Sequence, residues 1–183
     1  MTILMNVFGT VALRTLVGWL VTSLCLTAPL QKTPPFFKTV NDSMRETQTP
    51  DIPREREAIL VATNQQRARK RLSVLKPNAK LMQAAQQYAE LMAAKDQMSH
   101  TLNGLGLDDK ARQVGYSFRQ IRENIALNTR LDGRFVVVEQ WMESKGHRQN
   151  LLFKDLTDIG IGIAGPSKQN RYYYCQLFGA QLN

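Results

Sequence analysis

The sequence predicts an α+β fold in which helices pack on an antiparallel sheet, and three observations predict it. Apolar residues recur at spacings of three and four along the segment after residue 76. Strict alternation over 158–163 marks a strand close to the end of the chain. An aromatic-rich second strand follows a Gly165-Pro166 turn. Helical periodicity first and paired strands last is the pattern of an α+β sandwich. At 183 residues the chain has room for one domain with a real core, not for two.

Taken in order, 54–73 reads as a helix, with Ile59, Ala62 and Thr63 on one face and Arg and Gln residues elsewhere. Pro77 then opens a second helix at its tolerated first-turn position. Leu81, Ala84, Ala85, Tyr88, Leu91 and Met92 form its buried stripe, and it is expected to end near Ser99. Asn103, Gly104 and Gly106 make a loop, and 108–114 forms a short helix stopped by Gly115. A helix is read over 135–144 with Val137, Val138, Trp141 and Met142 inward, although the valines suit a strand equally. In 158–163 the isoleucines share one face, and Gly160 and Gly162 leave the other face low enough for a second layer to approach. The segment 171–178 is the expected hairpin partner.

Ahead of this domain, residues 1–30 hold no acid and a single base, Arg14, and an apolar run at 16–28 ends at Pro29. That is the make-up of a secretory signal, or of an uncleaved signal anchor if Arg14 sits near an interface. Residues 31–53 carry Pro34, Pro35, Pro50 and Pro53 among polar residues and read as a linker, which leaves 54–183 as the folded domain. The expected location is outside the cytoplasm: secreted, periplasmic or membrane-anchored facing outward, with membrane contact through 1–30. Of the two cysteines, Cys25 lies in the apolar segment and Cys175 among aromatic residues. A chain cleaved after the segment would have no intrachain disulfide, and Cys175 reads as a small buried residue.

The formal net charge of +9 favours anionic surfaces. The charges are dispersed, and the densest run, Arg67, Arg69, Lys70 and Arg71, reads as a solvated helix end. No aromatic residues interleave with it as a base-stacking platform requires, so no nucleic-acid partner is expected.

Chemistry is sought first at the two histidines, His100 and His147, each in a polar or glycine-containing setting near an expected helix end. Singly, each also fits a helix-end histidine favoured by the dipole. Glu123 and Glu143 occupy similar boundary positions, and zinc accepts imidazole nitrogen and carboxylate oxygen together. Spacing alone carries little, because no HExxH-type pair is present.

Order and wording add more. Thr63-Asn64-Gln65-Gln66-Arg67-Ala68, Ser99-His100-Thr101, Gly115-Tyr116-Ser117 with Glu123-Asn124-Ile125-Ala126, the stretch from Trp141 through Gly146-His147-Arg148-Gln149-Asn150 to Leu152, and Asp158-Ile159-Gly160-Ile161-Gly162 occur in sequence. Together, over roughly 56–179, they resemble the motifs of the CAP superfamily in its bacterial form, the SCP-like fold of cysteine-rich secretory, antigen five and class-one pathogenesis-related proteins. The resemblance implies a three-layer α-β-α sandwich with a small antiparallel sheet and a central cleft. It implies that His100, Glu123 and His147 face that cleft and hold zinc or another divalent cation, with Asn124 and Arg148 in support. Where the family carries a second cleft Glu, this chain has Ser144. Glu143, one position earlier, and Asp109, six residues before Gly115, are the candidates to replace it. The family's disulfides are absent.

The expected function is an envelope or extracellular binding module whose cleft holds a divalent metal or small polar ligand, with a lipid or wall glycan in a neighbouring groove. The alternative is a metal-assisted hydrolase, peptidase- or esterase-like. A purely structural adhesion domain is the third reading.

Overall fold

A computed structural model describes residues 50–182 of the chain. The expected signal or anchor at 1–30, with Cys25, and the linker as far as residue 49 lie outside the described residues.

Helix α1 (Ile52–Arg69) takes in two residues of the stretch read as linker. The Asp51 carboxylate accepts from the Arg54 N–H at 3.0 Å, and Pro53 stands in the first turn, where no hydrogen bond is lost. Strand β1 (Lys76–Pro77) and helix α2 (Ala79–Lys95) follow. Pro77 therefore precedes the helix instead of opening it. Asn78 is the cap, its side chain accepting from the N–H groups of Lys80 and Leu81. The residue before a proline is biased to extended backbone, and an edge strand tolerates the missing donor. Helix α2 stops at Asp96, which is left-handed at φ 49°.

Next come α3 (Leu107–Gln113) and β2 (Phe118–Asn128). A short α4 (Gly133–Phe135) continues as a π-helical stretch, Val136–Trp141, and α5 (Lys145–Leu151) follows. Strands β3 (Asp158–Ala164) and β4 (Tyr172–Gln181) complete the order. The sheet runs β1-β3-β4-β2. Strand β1 pairs parallel with β3, and the other pairings are antiparallel, so β2 forms one edge.

The two faces of the sheet bury two cores, which makes the fold a three-layer α-β-α sandwich. On one face Leu81, Ala85, Tyr88 and Met92 of α2 meet Ile125, Tyr173, Cys175 and Leu177. On the other, Ile59 and Ala62 of α1, Val136, Val137 and Trp141, and Leu151 of α5 meet Ile159, Ile161, Ile163, Tyr174 and Phe178. The alternation of β3 decides which helix comes closest. A Cβ on Gly160 or Gly162 would fall on the backbone carbonyls of Leu81 and Ala85, so α2 lies directly on the strand. Cys175 is fully buried, and burial, helped by the charge of Glu123, pushes its thiol well above the ordinary range.

The basic run at the end of α1 is not uniformly solvated. Arg67 is 0% exposed. Its Nε donates to the Ser73 carbonyl, and its Nη1 donates to the carbonyls of Leu151 and Phe153, both at 2.9 Å. A guanidinium can be buried among carbonyl oxygens that have no other donor, and the polar look of the run hides this.

Candidate functional site

Strand β2 positions the site. Successive residues of a strand point to opposite faces. Glu123 faces the α2–α3 layer, and Asn124 faces the layer of α1 and α5. Because β2 is an edge strand, groups from both layers reach round it. A cleft of about 430 Å³ opens there, lined by His100, Thr101, Leu107, Ile121, Arg122, Glu123 and Asn150.

His100 stands in the irregular segment beyond α2. Its Nδ1 lies 2.8 Å from Glu123 Oε1. An ionised carboxylate only accepts, so Nδ1 carries a proton, and in the neutral ring Nε2 is left with its lone pair. The His100 side chain is 58% exposed while that of Glu123 is 3% exposed, so the free nitrogen belongs to the wet side of the pair. The other carboxylate oxygen is occupied. Lys110 of α3 donates from Nζ to Glu123 Oε2 at 2.5 Å and to the His100 carbonyl at 2.8 Å. The same ammonium sits 3.3 Å from the centroid of the Tyr88 ring. The Tyr88 hydroxyl donates to the Ser99 carbonyl at 2.7 Å, and burial, then the charge on Glu123, raises its pKa well above the usual value. Lys110 thus ties α3 to β2 and to the backbone that presents His100.

The second imidazole comes from α5. His147 is half-buried, and its pKa is lowered by burial first and then by the nearby charge of His100. Its carbonyl accepts from Asn124 Nδ2 at 3.1 Å. Asn124 also bonds Gln176, and its Oδ1 accepts from Asn150, whose Nδ2 donates as well to the Glu123 carbonyl. Asn124 is therefore a strand residue that fastens α5 to β2.

His100 and Glu123 are in direct contact, whereas His147 lies outside the cleft lining and is tied to the site through its carbonyl, which accepts from Asn124. Glu143 is exposed and lies outside the cleft lining. Asp109 accepts from the Gly106 N–H at 3.1 Å and caps α3 on the surface. Arg148 caps rather than pairing with an acid: its Nη1 donates to the Met142 carbonyl at 2.6 Å. Trp141 is core, with its indole N–H donating to the Ile125 carbonyl. The residue that sequence reasoning missed is Lys110. A lysine in a short polar helix gives no sign of burial by residue type. No residue in the sequence marked it: the need for a cationic neighbour arises only once Glu123 is buried, at 3% exposure.

A metal on this cleft is constrained by Lys110. Among the described residues no three His, Cys, Asp or Glu side chains form a metal-binding group. Both Glu123 oxygens are already engaged, one by a buried ammonium. A cation there would have to rest on imidazole nitrogen, with Glu123 holding the ring of His100 from behind, as orienting carboxylates do. It does not fit Glu123 as a direct ligand, because a cation there would be placed against Lys110.

The profile of the CAP family, described as the cysteine-rich secretory protein family, matches residues 60–178, and the chain belongs to that family. It is 35% identical over 121 residues to the uncharacterized membrane protein YlbC of Bacillus subtilis, covering 66% of this chain and 33% of that protein. The chain therefore spans about a third of that relative's length. Among solved structures, it matches an extracellular protein containing an SCP domain from Bacillus anthracis, at 28% identity and a TM-score of 0.62, over 69% of this chain and 40% of that one. It also shares the fold of an outer surface protein from Borrelia burgdorferi, at 23% identity and a TM-score of 0.66, over 72% and 96% of the two chains.

Proposed function

We propose that this protein is an extracellular or envelope binding module whose cleft holds a divalent cation, or a small polar ligand, on His100 and His147. The observation that carries the reading is the Glu123–His100 hydrogen bond, which fixes the ring with Nε2 outward. In this reading Glu123 and Lys110 are positioning residues, the imidazoles are the contact atoms, and Thr101 and Asn150 supply polar walls. A bound cation would supply a positive centre for ligand oxygens. The location is supported by the charge-poor apolar segment at 1–30 and by two neighbours named as extracellular and outer surface proteins.

Calorimetric titration of chelator-stripped protein with zinc tests this. Uptake is expected to vanish in both His100→Ala and His147→Ala and to weaken about 10- to 100-fold in Glu123→Gln. Unchanged uptake in both histidine variants would overturn the metal reading. The oriented imidazole also suits a general base acting on water, the feature that favours a hydrolase. Ester or peptide turnover lost in His100→Ala would establish that second reading, and no turnover by the intact protein would dismiss it.

A further inference from the structure

A second concavity of about 650 Å³ adjoins the cleft, lined by Arg122, Arg148, Gln149, Leu152, Phe153 and Lys154. Arg122 lines both, so the groove continues the cleft from β2 across the end of α5. Its polar lining is cationic or neutral, with no carboxylate. Among the described residues no acid lies within 4.0 Å of Arg122, Arg148 or Lys154.

Both guanidinium groups are held in place by neutral partners. Arg122 lies 3.7 Å from the centroid of the Phe153 ring, and its Nη1 donates to Asn150 Oδ1 at 3.2 Å. Its Nε is shielded from solvent and has no hydrogen-bond partner among the described residues. Arg148 is held through Nη1 on the Met142 carbonyl. The floor is fixed from beneath: the buried Arg67 binds the Leu151 and Phe153 carbonyls, which sets the backbone that presents Phe153 and Lys154. Arginines positioned by carbonyl, amide and ring contacts, with no counter-ion, form a preorganised anion receptor. Donors from three separate side chains suit an anion with three or more acceptor oxygens better than a carboxylate with two. The half-buried Leu152 and Phe153 offer an apolar wall for the carbon part of an ester.

We propose that this groove binds a phosphate ester, with the phosphate among Arg122, Arg148 and Lys154 and its organic part against Leu152 and Phe153. This site is separate from the imidazole reading and does not depend on it. The phosphate could belong to a soluble glycerol phosphate or to the headgroup of an anionic lipid.

The test uses the full-length protein at low salt. Glycerol phosphate is titrated in by calorimetry, and co-sedimentation is measured with phosphatidylcholine vesicles with and without phosphatidylglycerol. Arg148→Gln and Lys154→Gln are each expected to weaken binding about tenfold, the loss of one charge-assisted contact. Lys70→Gln removes the same charge from an exposed site elsewhere and is expected to bind as wild type. Binding of the soluble ester identifies that source. Binding only to the anionic vesicles, with the same dependence on Arg148 and Lys154, identifies the lipid. Since Arg148 also caps a helix end, Lys154→Gln, at an exposed position, decides the matter if Arg148→Gln melts early. Retained binding in His147→Ala separates this site from the imidazole cleft. Failure to bind either probe, or equal weakening by Lys70→Gln, would overturn the proposal.

Discussion

Replacing Lys110 by Met removes the cation from a pair whose side chains are 1% and 3% exposed. Glu123 would keep its hydrogen bond from His100 but lose its only ammonium neighbour among the described residues. Breaking a buried ion pair from one side costs about 3–5 kcal/mol, because the remaining charge has no water to return to. The variant also loses the donor to the His100 carbonyl and the contact with the Tyr88 ring. Against a total domain stability of about 5–15 kcal/mol, this is a large fraction. With a urea slope of about 2 kcal/mol/M, a loss of about 4 kcal/mol lowers the midpoint by roughly 2 M. Equilibrium urea unfolding at neutral pH measures it. The double variant Lys110→Met with Glu123→Gln removes the stranded charge and is expected to recover about 2 kcal/mol relative to Lys110→Met. A Lys110→Met loss below about 1 kcal/mol, or a double variant whose losses simply add, would contradict this coupling.

Further outcomes follow from the same contacts. Gly162→Ala places a Cβ on the Ala85 carbonyl, so α2 must lift from β3, and denaturant unfolding should show a loss above about 3 kcal/mol. Gly146→Ala, in α5 with nothing within 4 Å of its Cβ, should be neutral or gain up to about 1 kcal/mol in the same assay. The Tyr173 hydroxyl, then that of Ser167, holds the Asp96 carboxyl below its ordinary 3.8. A folded-state pKa depressed in this way contributes stability that is present above pH 3.8 and lost as pH falls through the lower folded value. Asp96→Asn, which keeps a residue tolerant of left-handed backbone, should therefore flatten the acid limb of a stability–pH curve and leave its slope near neutrality unchanged.

The parts of the fold that were legible in sequence are those in which one period dominates. The Ile-Gly alternation of β3 announced both the buried face and the close approach of a second layer, which the structure shows to be α2, and the three-and-four spacing from Leu81 to Met92 announced the stripe that fills one core. Strand β2 was not legible as a strand. Arg119, Gln120, Arg122, Glu123 and Asn124 interrupt any apolar alternation, since its inward polar groups are satisfied by Lys110, His147 and Asn150 from other elements. The valine run at Val136 was ambiguous between helix and strand, and it resolves as a π-helical turn that packs Val136 and Val137 in the core. At the site, His100 and Glu123 stood out because few residue types do their chemistry. Lys110 and Arg67 did not, because burial of a cation depends on which carboxylate or carbonyls the chain brings to it from afar.

Glu123 dictates the tautomer of the neutral His100 ring. Long-range proton–nitrogen correlation spectra of the imidazole rings, recorded at about pH 8 where a histidine is ordinarily neutral, report this directly. The expected spectrum places the His100 proton on Nδ1 and leaves Nε2 bare, with that preference lost in Glu123→Ala. A ring protonated at Nε2 in the intact protein, or one unaffected by removing the carboxylate, would contradict it.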